Sequence, residues 1–239
     1  MSLPLLLLPE KNDPETDAVA AAWQARGGAV ARLGKYWIKD AAIATQPIAI
    51  YGSQAFALVL AQVYDVQLVS PDDTLVARLD TRWTKRAIQL STIGELGDAD
   101  FPLFVKPVIP KMFMAGVYPS YAAFHAAVGE LPASEELLMA TVIDSIRAEV
   151  RCFIKEGQVL DAACYEGTAS LVAAISFAEA FLQTNKSVLP SVLVLDLACS
   201  GTGDWMVLEF NACWGAGLNG CDAANILDCI AAATVNKQD

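Results

Sequence analysis

The segment VLVLDLACSGTGDWMVLEFNACWGAG, residues 192–217, sets Asp196, Glu209 and Asn211 inside two apolar runs that flank a Gly-Thr-Gly turn. Burying a lone carboxylate costs several kcal/mol unless a cation or hydrogen-bond donor meets it. If the runs pair as a hairpin centred on Thr202 and Gly203, Asp196 lies opposite Glu209, and a four-residue loop from Gly201 to Asp204 gives the same register. Side chains alternate along each strand and cross-strand partners share a face. One face therefore collects Asp196, Glu209 and Asn211, and the other only Leu, Met and Phe. Opposed carboxylates repel unless one is protonated or a cation lies between them. Oxygen donors with room for phosphate are what Mg²⁺ takes. A solvent-facing strand side, neutralised by Lys or Arg from elsewhere, fits the spacing equally well.

Cations upstream favour the first reading. FPLFVKPVIPK, residues 101–111, ends an apolar strand in Lys106 and reaches Lys111 across two prolines. Either lysine alone reads as a strand-edge charge. RAEVRCFIKEG sets Glu149 and Arg151 on one face of another strand, where a local ion pair is the plainer explanation. Together, isolated cations and three metal-type oxygens make the inventory of a polyphosphate–magnesium site. Phosphoryl transfer needs chiefly positioning and charge neutralisation, which Lys, Arg and Mg²⁺ supply. The one histidine, His125, lies in SYAAFHAAVG on a predicted helix and reads as half-buried and structural. The six cysteines form no CxxC pair, so they read as buried thiols rather than zinc ligands or disulfides.

These residues need strands to hold them. Predicted elements begin with a strand at 3–8, a helix at 15–26 ending at Gly27-Gly28, a strand at 48–51, a helix at 54–64 capped by Ser53, and a strand at 66–70. A basic helix over 81–91 (TRWTKRAIQLS) leads to the lysine strand at 101–106. Strands at 137–143, 149–155, 158–164, 191–198 and 205–211 mix with helices near 119–128, 169–184 and 222–234. The first part reads as a small α/β unit and the remainder as α+β with antiparallel pairing. GGAVARLGKY fails as a phosphate-binding GxxxxGK[ST] loop, because Ala29 stands at the first glycine and Tyr36 at the hydroxyl position.

Composition narrows the function classes. A net charge of −11, with 16 scattered basic residues, argues against a nucleic-acid partner. Residues 41–64 carry no Lys, Arg, Asp or Glu, but Pro47, Gly52, Ser53 and three glutamines break the stretch as a membrane span. The opening MSLPLLLLPEK lacks a basic n-region. A cytoplasmic protein without a membrane partner is expected.

The ordered series TRWTKRAI, FVKPVIPKMFMAGVY, AEVRCFIKEGQV and VLDLA…WMVLEFNACWGAG resembles the ATP-grasp superfamily, in its arginine/lysine clade. The resemblance spans residues 75–222. It implies an ATP-grasp fold, antiparallel sheets with helices over 76–239, preceded by a small α/β domain over 1–75. It further implies that Lys106 contacts nucleotide phosphates from a strand and that Lys111 lies on a loop closing over them. Arg151 is similar to the family's phosphate-binding arginine, and Glu149 accompanies it in nucleotide binding. The backbone at Val142, Ile143 and Asp144 matches the adenine-binding hinge, and Arg86 a further basic residue of the clade. Asp196, Glu209 and Asn211 resemble the Mg²⁺ ligands, with Glu209 bridging two ions.

The activity so implied is an ATP- and Mg²⁺-dependent ligation. A small-molecule or peptide carboxylate is activated as an acyl-phosphate, assisted by Arg151, Lys106 and Lys111, and an amine or similar nucleophile displaces phosphate. Trp205, Tyr165 and the loop 214–217 are candidates to line the acceptor site, with core packing as their alternative. A kinase that stops at a stable phosphorylated product, and a non-catalytic nucleotide-binding module, are the alternatives at the level of function.

Overall fold

The computed structural model describes residues 3–236. In chain order its strands are β1 (Leu5–Pro9), β2 (Val30–Leu33), β3 (Ile48–Ile50), β4 (Val66–Leu68), β5 (Ile88–Thr92), β6 (Leu103–Pro107), β7 (Gly116–Tyr118), β8 (Glu136–Ala140), β9 (Ile146–Lys155), β10 (Gln158–Gly167), β11 (Val192–Ser200), β12 (Trp205–Asn211) and β13 (Thr234–Asn236). Its helices are α1 (Pro14–Ala25), α2 (Gln54–Tyr64), α3 (Thr81–Thr84), α4 (Tyr121–Val128), α5 (Leu171–Asn185) and α6 (Ala223–Ala232). The chain divides into two compact units: Met1–Pro71 with Ala148–Leu197 and Phe210–Asp239, and Asp72–Arg147 with Ala198–Glu209.

The first unit contains a parallel sheet in the order β2-β1-β3. Leu6, Leu7 and Leu8 are all fully buried, as a central parallel strand covered on both faces requires. Helix α1 starts at Asp13, whose side chain accepts from the backbone of Glu15 and Thr16, and continues through Pro14. Its buried residues Thr16, Val19, Ala20 and Trp23 follow helical spacing. Burying a large apolar side chain such as Trp23 contributes about 2–3 kcal/mol. Gly28 has to be glycine, because a Cβ there would lie 2.3 Å from the Trp23 ring. At the far end of the chain, Thr234 and Asn236 accept from the backbone N–H groups of Ile50 and Ile48 at 3.1 and 2.9 Å, so side chains satisfy the edge of β3.

A four-stranded sheet in the order β10-β9-β11-β12 carries the acid-bearing hairpin. Strands β9 and β10 meet at Glu156-Gly157, both with positive φ (50° and 77°), as a two-residue type I′ hairpin turn requires. Residues 192–199 of β11 are all buried. Asp196 therefore lies in a dry position on β11, whereas Glu209 on β12 stays half-exposed, and each is paired with a Lys or Arg as the alternative reading had it.

The second unit is built on an antiparallel sheet in the order β5-β8-β6-β7. Its core is centred on the fully buried Phe124, whose ring lies 5.8, 6.0 and 5.4 Å from those of Phe101, Phe113 and Tyr118. The hairpin turn also belongs here. Ser200 N–H donates to Asp204 O and Gly203 N–H to Ser200 O, with Gly203 at φ 92°. Strand β11 ends at Ser200 and β12 begins at Trp205, so the loop spans 201–204 as expected, but Ser200 closes against Asp204, one residue off the turn centred on Thr202-Gly203.

Three other expectations need correction. The basic helix over 81–91 ends at Thr84, because Lys85 turns left-handed at φ 55°. Ile88–Thr92 then pairs with β8 as a strand. Its Ile-Gln-Leu-Ser alternation has the period of a strand, and sheet pairing outweighs the helix-forming residues before it. Strand β2 occupies Val30–Leu33, inside the stretch tested only as a phosphate loop. His125 is exposed on α4 rather than half-buried, its ring 5.8 Å from that of Tyr121. Among the described residues no helix is long and apolar enough to cross a membrane.

Candidate active site

In the first unit, β9 brings Arg151 to Asp196 on β11. Arg151 Nε donates to Asp196 Oδ1 at 2.8 Å and Nη2 to Oδ2 at 2.6 Å, while Nη1 donates to the Gly217 carbonyl at 2.8 Å. Asn211 Nδ2 donates to Asp196 Oδ2 at 2.9 Å. Arg151 is 8% and Asp196 1% exposed. Such a pair survives burial because the fork matches the carboxylate edge and the remaining donors find acceptors.

A local irregularity adds a further partner. Cys164 pairs with Val150 and Glu166 with Glu149, so Tyr165 is the extra residue of a bulge in β10. A bulge re-aims its side chain. The Tyr165 hydroxyl donates to Glu149 Oε2, and its ring centroid lies 5.8 Å from the Arg151 guanidinium carbon. Burial first, then the bond to Glu149, pushes the Tyr165 phenol well above its ordinary range. Trp214, by contrast, is 8% exposed and donates to Ser70 Oγ at 3.0 Å, a packing role.

In the second unit, β6 alternates buried and half-buried residues over Leu103–Pro107. Val105 points into the core and Lys106 to the other face. Lys106 Nζ lies 2.8 Å from Glu209 Oε2, with side-chain exposures of 29% and 40%. Lys111 is exposed between β6 and β7, at a left-handed φ of 71°. Val142, Ile143 and Asp144 follow β8 and, with Arg86 and Met206, line a cavity of about 490 Å³. The hairpin turn packs on the same segment: Gly201 N–H donates to Ser145 O at 3.1 Å, and a Cβ on Gly201 would lie 2.3 Å from Ser145 Oγ.

Each expected metal-binding acid is thus held by an expected phosphate-binding cation. Carboxylate and carboxamide oxygens are hard donors of the kind that Mg²⁺ takes beside phosphate oxygens and water. Among the described residues no three His, Cys, Asp or Glu side chains converge on a metal site. Sequence reasoning gave Tyr165 no partner and missed the Gly217 carbonyl. The bulge left no mark in the pattern, and a backbone acceptor has no residue-type signature.

The model of an ATP-grasp domain family, the second family of the arginine/lysine clade, matches residues 83–229. No curated protein matches the chain. Among solved structures, an ATP-grasp protein of the RimK domain type from Sphaerobacter thermophilus is 13% identical, with TM-score 0.57 over 95% of this chain and 98% of that one. The ATP-grasp ligase PsnB, complexed with precursor peptide PsnA2 and AMPPNP, is 12% identical, with TM-score 0.56 over 98% of both chains. The D-cycloserine synthetase DcsG is 15% identical, with TM-score 0.56 over 95% of this chain and 98% of that one. The fold is therefore the ATP-grasp fold, and this chain belongs to the arginine/lysine clade of the ATP-grasp superfamily.

Proposed function

We propose that this protein is an ATP- and Mg²⁺-dependent ligase that activates a carboxylate as an acyl-phosphate and joins it to an amine or similar nucleophile. The observation that carries this reading is the matching of acids and cations, Lys106 with Glu209 and Arg151 with Asp196. In the absence of nucleotide the cations neutralise the acids. A triphosphate with Mg²⁺ offers each acid a metal and each cation a phosphate, so bound ligand replaces these charge pairs without leaving a charge alone.

Asp196, Glu209 and Asn211 hold Mg²⁺ in this reading, and Mg²⁺ supplies neutralisation of the phosphate charge. Lys106 contacts phosphate oxygens, and Lys111 reaches the terminal phosphate from its exposed loop. Arg151 stabilises charge on the transferred group, held in place by Asp196, the Gly217 carbonyl and the Tyr165 ring. Glu149, fixed by the Tyr165 hydroxyl, belongs to the same nucleotide site. Val142, Ile143 and Asp144 receive the adenine, and residues 1–75 serve as the domain preceding the ATP-grasp region. A carboxylate oxygen attacks the γ-phosphorus and ADP leaves. The amine then attacks the acyl carbon, phosphate departs, and the nitrogen loses its proton. That PsnB is an ATP-grasp ligase complexed with a precursor peptide, and that DcsG is a synthetase, supports a peptide or small-molecule carboxylate as acceptor.

The test is a hydroxylamine trap run over a panel of amino acids and peptides. A hydroxamate that requires ATP, Mg²⁺ and one class of carboxylate supports the ligase. ATP consumption giving a stable phosphorylated product and no hydroxamate contradicts it in favour of a kinase.

A further inference from the structure

The loop between β12 and α6 is clamped on both sides of the carbonyl that holds Arg151. Gly217 O accepts from Arg151 Nη1 at 2.8 Å. On one side of it, the Ala216 carbonyl accepts from the buried Tyr51 hydroxyl at 2.9 Å. On the other, Asn219 N–H donates to Glu15 Oε1 at 3.1 Å. The second oxygen of that carboxylate lies against the loop itself, since a Cβ on Gly217 would stand 2.6 Å from Glu15 Oε2. Asn219 takes a left-handed φ of 47°, a conformation that persists where surrounding contacts hold it. Glu15 is half-buried in the first turn of α1, whose start is set by the Asp13 cap.

Arg151 needs this support most when nucleotide is bound. In the free protein its Nε and Nη2 grip Asp196. The function proposed above gives Asp196 to Mg²⁺, which breaks that fork. Gly217 O is a backbone acceptor that the metal does not claim, so its bond keeps the guanidinium aimed while the carboxylate is engaged elsewhere. A small misplacement of a group that serves the transferred phosphate is costly, because its contribution depends on orientation. We propose that Glu15 is a positioning residue: by accepting from Asn219 N–H it fixes the Gly217 carbonyl, and through that carbonyl it aims Arg151 at the terminal phosphate. The inference rests on the nucleotide reading and adds to it a residue that touches no ligand. It also gives the N-terminal α/β segment a part in the chemistry.

Three substitutions separate this role from a structural one. Glu15→Ala removes the acceptor, Glu15→Gln keeps an acceptor without the charge, and Glu15→Asp keeps the charge but draws the oxygens back. Calorimetry with AMPPNP and Mg²⁺ should find the Ala and Asp variants weaker by about threefold to tenfold, the range of one hydrogen bond. Glu15→Gln should bind as wild type does. ADP with Mg²⁺ lacks the phosphate that Arg151 serves and should bind all four proteins alike, whereas general damage to the fold would lower both affinities together. Arg151→Lys keeps the charge but loses the guanidinium fork, so adding Glu15→Ala to it should weaken AMPPNP no further. Unchanged AMPPNP affinity in Glu15→Ala would overturn the assignment. So would an equal loss for ADP, a Gln variant as weak as the Ala variant, or an additive loss in the Arg151→Lys background. If Glu15→Ala melts well below wild type, Glu15→Asp decides, and full AMPPNP affinity in that variant would overturn the proposal. A wild-type protein that binds neither AMPPNP nor ADP would sink the nucleotide reading itself. Wild-type binding with indifferent variants would sink only the role of Glu15.

Discussion

Arg151 holds both carboxylate oxygens of Asp196, at 2.8 and 2.6 Å, where the aspartate is 1% exposed. Removing one member leaves the other charged and buried, which costs about 3–5 kcal/mol. Asp196→Ala should lower the unfolding free energy in urea by about that amount. The double variant Arg151→Met, Asp196→Leu should recover most of it, because apolar residues of similar volume replace a buried pair with little loss. Nucleotide turnover should be absent in both. A double variant no more stable than Asp196→Ala contradicts the pairing, and one that turns over ATP removes both residues from the chemistry.

Lys106 and Glu209 form a more open pair. Lys106→Met should therefore change stability by less than about 1 kcal/mol. Loss of a charge-assisted phosphate contact should weaken ATP binding by about 1.5–3 kcal/mol. Lys11→Ala, at an exposed position, should leave binding as it was. Calorimetry with ATP and Mg²⁺ decides, and equal affinities for the two variants would remove Lys106 from the site.

The phenols of Tyr51 and Tyr165 both lie above the ordinary 10.0, chiefly through burial. A raised phenol favours the protonated form in the folded state. Its stabilising contribution is complete below the unfolded value and is lost as pH rises from about 10 toward the folded value. Circular dichroism against pH should show stability falling above about pH 10. Tyr51→Phe and Tyr165→Phe should each flatten that fall relative to their own stability at neutral pH. An alkaline limb identical in all three proteins contradicts the burial of these hydroxyls.

Five cysteines are buried and Cys164 is half-exposed. Burial pushes the Cys152 and Cys221 thiols up to about 12. Iodoacetamide at pH 8 should therefore label Cys164 first, with the other five reacting only after denaturant is added. Peptide mapping that finds Cys152 or Cys221 modified early would contradict the packing of β9 and the approach to α6.

Much of this arrangement was legible in the residues. The helix 54–64 capped by Ser53 is present as α2, because a cap hydroxyl and helical spacing are both local signals. Alternation around Lys106 likewise marks a strand with one dry face. The failures share a cause. Residues 85–92 read as helix from their own composition, yet their pairing with β8 is decided by a segment about fifty positions away. The turn at 201–203 closes one residue early, because Gly203 takes a left-handed conformation that a Gly-Thr-Gly sequence permits at either glycine. Tyr165 joins Glu149 and Arg151 through a bulge, which has no compositional mark. Asp196 was singled out as a carboxylate in an apolar run, but the sequence did not say that Arg151 would meet it.

The central claim is tested most directly by identifying the phosphorus products of turnover. Phosphorus NMR of the protein with ATP, Mg²⁺ and a responsive carboxylate resolves ADP and orthophosphate from AMP and pyrophosphate. Attack at the γ-phosphorus predicts ADP and orthophosphate, with Glu209→Gln suppressing both, since it removes a charge from the proposed metal-binding pair. AMP and pyrophosphate would contradict the account, because they require attack at the α-phosphorus.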